Sequence, residues 1–219
     1  MRAIAIYDLD RTVTLRPTFT PFLAFAARRR APWRLAFAPI WLLALIGYKL
    51  KLYPREPLKA FGLTLFVGRR VPPAIMDDLA SAFTEQTCAQ NIAPGARRAM
   101  AADRERGATL LLVTAAPELY AVPVARALGF ADCIATRHRR TAAGDWCALI
   151  DGANNYGAEK RRRVEDWLSR QGLKREDVHI TAYSDHSSDA PLFDWADDAV
   201  LIGPYHAAKS GWRVEDWRA

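Results

Sequence analysis

The chain opens with Ala3-Ile4-Ala5-Ile6-Tyr7-Asp8-Leu9-Asp10-Arg11-Thr12, an apolar run that ends on two aspartates. An unbroken apolar run of this length reads as a strand buried on both faces. Strands of that kind belong to parallel sheets covered by helices. Residues i and i+2 of a strand share a face, so Asp8 and Asp10 are placed to enter one site at the carboxyl edge of such a sheet. That edge is where open α/β sheets hold their ligands.

Three further runs repeat the pattern. Thr109–Val113 ends at Thr114, His179–Tyr183 at Ser184-Asp185, and Ala199–Ile202 at Gly203-Pro204. One helical stretch starts near Pro117 and stops at Gly129; another runs from Ala158 to Gln171 and is closed by Gly172. Strands alternating with helices predict an α/β fold with a Rossmann-like parallel sheet. The piece from Ile134 to Ile150, with a turn at Ala143-Gly144-Asp145, predicts a small hairpin. The region from Arg16 to Gln90 is helical in pattern and rich in Arg, Trp, Leu, Phe and Ala, and Pro94-Gly95 marks the return. The expected division is a core domain of residues 1–15 plus 91–219 and a helical insert of residues 16–90. Arg163-Val164-Glu165-Asp166-Trp167 recurs as Arg213-Val214-Glu215-Asp216-Trp217, an echo too short for a structural repeat and read as coincidence.

With 219 residues, 51% apolar and 25% charged, the chain can build a real core. A net charge of +7 favours anionic partners: phosphorylated metabolites, anionic lipid surfaces or nucleic acid. No helix-turn-helix, RNA-binding sheet motif or zinc finger is present in the sequence, which argues against nucleic acid. Cys88, Cys133 and Cys147 are far apart, odd in number and without metal-ligand spacing, as reduced cytosolic thiols are. The N-terminus runs directly into the first strand, leaving no room for a cleaved signal peptide, so the expected location is cytoplasmic. His138, His179 and His206 show no metal spacing, and the seven tryptophans read as packing and interface residues.

Asp8 and Asp10, Thr114, Lys160, and Asp185 with Asp189 form a chemical constellation that only a fold can unite. Lys160 opens a helix after Asn154-Asn155-Tyr156-Gly157. These residue types suit phosphoryl transfer. One carboxylate attacks phosphorus and divides the work into two steps. A second protonates the leaving oxygen, then takes a proton from water. An anionic nucleophile meeting an anionic phosphate needs counter-charge, which Mg²⁺ on oxygen ligands and one lysine supply. Thr114 can hydrogen-bond an equatorial phosphoryl oxygen. Blander readings exist for each: a structural turn at Asp8 and Asp10, helix capping by Thr114 or Asp189, a solvated helix charge at Lys160, an ordinary surface histidine at His186. Matching partners in order favour the chemical reading for Asp8, Asp10, Thr114, Lys160, Asp185 and Asp189; His186 keeps the ordinary one. Arg161, Arg162 and Arg163 read as solvated helix charges.

These residues resemble the four motifs of the haloacid dehalogenase superfamily, with DLDRT, LLLVTAAP, GAEK and YSDHSSDAPLF in the family's order. The match covers nearly the whole chain, and the helical insert resembles the cap of subfamily IB, the branch of phosphoserine phosphatase. The resemblance implies Asp8 as nucleophile, Asp10 as general acid/base, and Thr114 and Lys160 as phosphoryl binders. It implies Mg²⁺ held by Asp8, the backbone carbonyl of Asp10 and Asp185, with Asp189 in a supporting position behind the metal. Two departures stand out. Arg11 occupies a position where many members carry Gly or Ser. Val13–Phe19 holds no acid where phosphoserine phosphatases place a substrate-reading glutamate, which weakens phosphoserine as substrate. The arginine after the second aspartate, AAPELY, NNYGAEK and SDHSSDAPL are closer to phosphatidylglycerophosphatase C-like and unassigned bacterial members of the branch.

The insert carries the substrate clue. An uncharged run from Leu35 to Tyr48, fourteen residues long, lies between Arg28, Arg29, Arg30 and Arg34 on one side and Lys49, Lys51 and Arg55 on the other. Spanning a bilayer takes about 20 residues, whereas runs of about 10–14 are core or interfacial. The run therefore reads either as cap core or as a segment lying in a membrane interface, with Trp41 and Tyr48 at the boundary. The first reading goes with a soluble small-metabolite phosphatase, the second with an amphiphilic phospholipid substrate such as phosphatidylglycerophosphate and a peripheral place on the inner face of the membrane. A catalytically dead membrane adaptor would account for the insert but not for the constellation.

Overall fold

Ile4 and Ile6 pack to one side of the first strand, Ala5 and Tyr7 to the other, as a strand covered on both faces requires. The computed structural model describes residues 1–203 and 211–218; Pro204 and His206 lie outside them. Among the described residues, six strands form the main sheet in the order β4 (Asp132–Thr136), β3 (Thr109–Pro117), β1 (Arg2–Tyr7), β7 (Val178–Ser184), β8 (Asp198–Ile202) and β9 (Arg213–Glu215). Every neighbouring pair is parallel, so the α/β expectation holds. Tyr7 is level with Leu112 on one side and Tyr183 on the other. The chain starts in the middle of the sheet, builds β3 and β4 outward, then crosses to β7 on the other side of β1. That reversal opens a crevice at the carboxyl ends of β1, β3 and β7.

One face carries Ile4, Ile6, Leu111, Val113 and Ile180 against Val164, Trp167 and Leu168 of α7 (Ala158–Arg170). The other carries Tyr7, Leu110 and Leu112, in one core with α5 (Pro94–Glu105), α6 (Glu118–Ala127) and α4 (Pro73–Gln90).

Two sequence expectations shift, and one strand appears that the sequence did not show. Residues 132–136 form β4 of the main sheet, and the hairpin is confined to β5 (His138–Arg140) and β6 (Trp146–Ile150). β4 has only three buried residues, Ile134 to Thr136, too short a run to stand apart from the hairpin. Thr114 lies inside β3, which continues through a register irregularity to Pro117. β9 has no apolar run and is held by backbone pairing to β8. It contains part of the second RVEDW copy, whose twin is helical in α7.

Between β1 and α5 come α1 (Phe19–Arg30), a 3₁₀ turn at Pro32–Phe37, α2 (Ala38–Lys49), α3 (Arg55–Phe66), β2 (Arg70–Val71) and α4. The chain leaves and returns at one point: Thr14 bridges Ile92, Leu15 N donates to Asn91 O at 2.8 Å and Ala93 N to Val13 O at 3.0 Å. β2 pairs antiparallel with β6, so the hairpin clamps the inserted helices from the far side. Within α2 only Trp41 and Gly47 are buried, while Leu42 and Leu43 are 58% and 68% exposed. Among the described residues no helix is long and apolar enough to cross a membrane.

Gly95, at the start of α5, donates its N–H to Trp217 O at 3.0 Å. A Cβ there would sit 2.5 Å from Trp217 Cα, and backbone cannot move aside as a flexible side chain can. Gly95→Ala is expected to destabilise the fold by about 1–3 kcal/mol, lowering the melting temperature by several degrees. A wild-type melting curve would mean that the C-terminal segment does not pack here.

Candidate active site

Asp8 follows β1 directly, and its amide donates to Tyr183 O at 2.9 Å, fixing it at the centre of the sheet edge. The chain then turns through Leu9–Val13, with Arg11 in the left-handed region (φ 63°, ψ 7°). Arg11 N donates to Thr14 Oγ1 at 3.3 Å, which braces the turn. Asp10 Oδ1 accepts from both the N–H and the hydroxyl of Thr18, each at 2.7 Å. The second carboxylate is thus set by the first residues of the insert.

Lys160 lies in the first turn of α7, three residues after Gly157, whose φ of 59° and ψ of −129° demand glycine. Its ammonium is buried and donates to Asp8 Oδ1 at 2.7 Å and to Asp189 Oδ2 at 2.6 Å. Ser184 Oγ donates to the same Asp189 oxygen at 2.6 Å. Asp189 Oδ1 is buried and has no hydrogen-bond partner among the described residues. Thr114 Oγ1 accepts from Ala116 N at 3.0 Å, leaving its own proton to donate. Asp185 is half-buried just past β7. Asp8, Asp10, Thr114, Lys160, Asp185 and Asp189 all line one cleft of about 270 Å³. The structure therefore brings together every site residue expected from the sequence.

Three carboxyls here are pushed above their ordinary range, and burial is the main cause in each. Asp8 rises against the pull of Lys160, and Asp10 against the two bonds from Thr18. Asp185 is pushed up to about 6, against Arg11 and Lys160. Raised carboxyls and an orphaned buried oxygen describe a cleft short of positive charge. Among the described residues, no group of three His, Cys, Asp or Glu is set to hold a metal ion by side chains alone. The donors that fit a small hard cation are Asp8 and Asp185, with backbone oxygen and water, the set that Mg²⁺ accepts.

Several contributors carried no clear signal in the sequence. Lys59 of α3 is buried and donates to Ala115 O at 2.6 Å and Asn154 Oδ1 at 2.5 Å. The β3 irregularity turns the Ala115 carbonyl toward it. Burial, with Arg55 beside it, pushes the Lys59 ammonium down to about 7. Asn155 Nδ2 donates to Thr114 O at 3.0 Å and Ile134 O at 2.8 Å, holding the Thr114 strand in place. The Asn-Asn pair before Gly157 was the only hint. Arg163 is a correction: it is largely buried and bonds Ala135 O and Ala153 O at 3.1 and 2.6 Å, tying α7 to the end of β4. Arg161 and Arg162 do lie on the exposed face, in ion pairs along the helix. Asp189 precedes α8 (Ala190–Phe193) but makes no side-chain capping bond. His186 accepts from Ser188 N at 3.0 Å, closing a local turn.

The sequence profile of the haloacid dehalogenase-like hydrolases matches residues 5–194. Protein CicA of Caulobacter vibrioides is 32% identical over 89% of this chain and 83% of its own length. A Mycobacterium tuberculosis protein named phosphoserine phosphatase SerB1 is 25% identical over 100% of this chain and 72% of its own. Among solved structures, a Bordetella pertussis Tohama I protein of unknown function superposes with a TM-score of 0.87 at 24% identity, over 99% of both chains. A phospho-aspartyl intermediate analogue of phosphoserine phosphatase gives 0.61 at 15%, over 92% of this chain and 86% of that one. At such identities the solved structures speak to the fold alone.

The left-handed Arg11 generates a stability test. A side chain there costs about 1–2 kcal/mol of backbone strain that glycine escapes, only partly offset by the freedom of glycine in the unfolded chain. Arg11→Gly is expected to be about 1 kcal/mol more stable than Arg11→Ala in urea unfolding. The reverse order would show the turn to be unstrained.

Proposed function

This chain belongs to the haloacid dehalogenase-like hydrolases, and from that membership we propose that it is an Mg²⁺-dependent phosphomonoester hydrolase working through an aspartyl-phosphate on Asp8. The observation that carries the reading is the Lys160 ammonium bonded to both Asp8 and Asp189 beside the Thr114 hydroxyl.

Asp8 attacks phosphorus through Oδ2, since Oδ1 is committed to Lys160. The bond from phosphorus to the substrate oxygen breaks, and that oxygen takes a proton from Asp10. Burial favours the protonated Asp10 this step needs, and Thr18 occupies only Oδ1. Asp10 then takes a proton from water as its oxygen attacks phosphorus, releasing inorganic phosphate and regenerating Asp8. Lys160 and Thr114 hold equatorial phosphoryl oxygens. Asp8, the Asp10 backbone carbonyl and Asp185 would hold Mg²⁺, which would supply the remaining counter-charge, and Asp189 orients Lys160 from behind.

The substrate we propose is an amphiphilic phosphomonoester, a phospholipid headgroup phosphate such as phosphatidylglycerophosphate, with residues 16–90 acting as a cap that rests on an anionic membrane surface. The enzyme then sits in the cytoplasm, peripheral on the inner face of the membrane. Support comes from the apolar wall of the cleft, with Phe19, Trp41, Leu45 and Leu58, and from the exposed flank of α2, with Leu42, Leu43 and Ile46. A second reading, a soluble small-metabolite phosphatase of phosphoserine phosphatase type, draws on Arg55. Its guanidinium lies 4.1 Å over the Tyr156 ring at the cleft and suits an anionic substituent.

Turnover of para-nitrophenyl phosphate is expected to require Mg²⁺ and to be lost with chelator. Asp8→Asn is expected to lower kcat by at least about 10⁴-fold with an unchanged circular dichroism spectrum; near-wild-type turnover removes Asp8 as nucleophile. Co-sedimentation at low salt is expected to enrich the protein on phosphatidylglycerol-containing vesicles. No enrichment, together with faster turnover of phosphoserine than of phosphatidylglycerophosphate, decides for the soluble reading.

A further inference from the structure

We infer that Arg30, Arg34, Arg69 and Arg70 form a second anion site, one that takes a phosphate group at the opposite end of α3 from the catalytic cleft. The four side chains, with Val67 and Gly68, line a surface cleft of about 450 Å³. The chain brings them from two distant stretches. Arg30 ends α1 and Arg34 lies in the following 3₁₀ turn, while Arg69 and Arg70 follow the turn at Gly68, whose φ is 127°. Lys59 reaches the catalytic cleft one turn into α3, and Val67 lies eight residues further on, about 12 Å along the axis.

Two of the arginines are held in place by backbone. Arg30 donates to Val67 O at 2.9 Å; Arg34 donates to Thr64 O at 3.0 Å and Leu65 O at 2.9 Å. These bonds satisfy carbonyls at the C-terminal end of α3, which accounts for Arg30 and Arg34. It does not account for Arg69 and Arg70, exposed on the same cleft. Among the described residues no carboxylate lines the cleft, and the nearby Asp78 pairs with Arg29 at 3.2 Å. Partial burial and the Arg34 charge push the Arg30 guanidinium down, as crowding of like charges without a counter-ion does. Planar guanidinium forks match phosphate oxygens two at a time. The same chemistry arrives either on a soluble phosphate-bearing anion or on an anionic lipid headgroup.

The test uses the full chain and two double variants that each remove two positive charges. Arg69→Gln/Arg70→Gln empties the cleft of its unanchored arginines; Arg126→Gln/Arg139→Gln removes exposed arginines elsewhere. Inorganic phosphate is titrated while arginine Nε–H signals are followed by NMR. Co-sedimentation compares phosphatidylcholine vesicles with and without phosphatidylglycerol. The expected result is a tenfold or greater loss of affinity in the cleft variant, little change in the control, and wild-type turnover of para-nitrophenyl phosphate in both. Loss confined to phosphate assigns a soluble anion; loss confined to anionic vesicles assigns a headgroup. Equal behaviour of the two variants with both probes, whether both lose binding or neither does, overturns the site.

Discussion

A lysine ammonium buried between two carboxylates holds the centre of this molecule. Burial alone would push Lys160 down, but Asp189 and Asp8 outweigh it and hold its pKa above the ordinary value. Each partner comes from a different element: Asp8 from the end of β1, Asp189 from the loop after β7, Lys160 from α7. An ion in the interior carries a desolvation penalty of several kcal/mol unless it is paired and hydrogen-bonded, and a buried pair stripped of one partner loses about 3–5 kcal/mol. The three elements are therefore bound to one arrangement. The parallel sheet order and the glycine conformation at Gly157 are what let them reach it.

Lys59 is the contrasting case. It is also buried, yet its bonds go to a carbonyl and an amide oxygen, not to a carboxylate. Asp10 and Glu56 pull it upward only in part, so its charge is poorly compensated and its pKa falls to about 7. Of the two lysines facing the cleft, one is locked in the core and one is brought by the insert. The second is the one that an incoming anion can still stabilise. Lys160, Asp8 and Asp189 come from the core, whereas Lys59 and the Thr18 bonds that set Asp10 come from the insert, so the cleft is complete only with both.

What the sequence disclosed follows from what local patterns can encode. Asp8 and Asp185 were legible because strand ends are marked by a change from apolar to polar, and the sheet converts those ends into neighbours; Thr114 was legible because the same change falls at the irregularity within β3. Lys160 was legible through its place in the constellation. Lys59 and Arg163 were not, since nothing local separates a lysine or arginine that folds inward from one that faces water. The two RVEDW copies make the limit concrete. In α7, Val164 and Trp167 pack into the sheet face as helical neighbours. At the C-terminus, Val214 is 46% exposed on an edge strand, and only Trp217 is buried. Identical residues adopt opposite structures because the surrounding ladder and core decide.

The apolar run of α2 was visible in the sequence, but its exposure was not. A helix that buries only Trp41 and Gly47 leaves Leu42, Leu43, Ile46 and Leu50 in water. Burying a leucine contributes about 1.5–3 kcal/mol, so this flank carries several kcal/mol of unrealised stabilisation. Packing within the chain could have claimed it: Ile40, Leu43, Ala44 and Phe61 already line an apolar groove. Instead the flank lies open in a protein of net charge +7. That flank, on the proposed reading, serves an enzyme whose substrate is embedded in a bilayer, which must meet that bilayer before it can act. On the proposed reading, apolar burial and about 1 kcal/mol per basic residue near an anionic surface act together, and the insert rather than the catalytic sheet determines where the chemistry takes place.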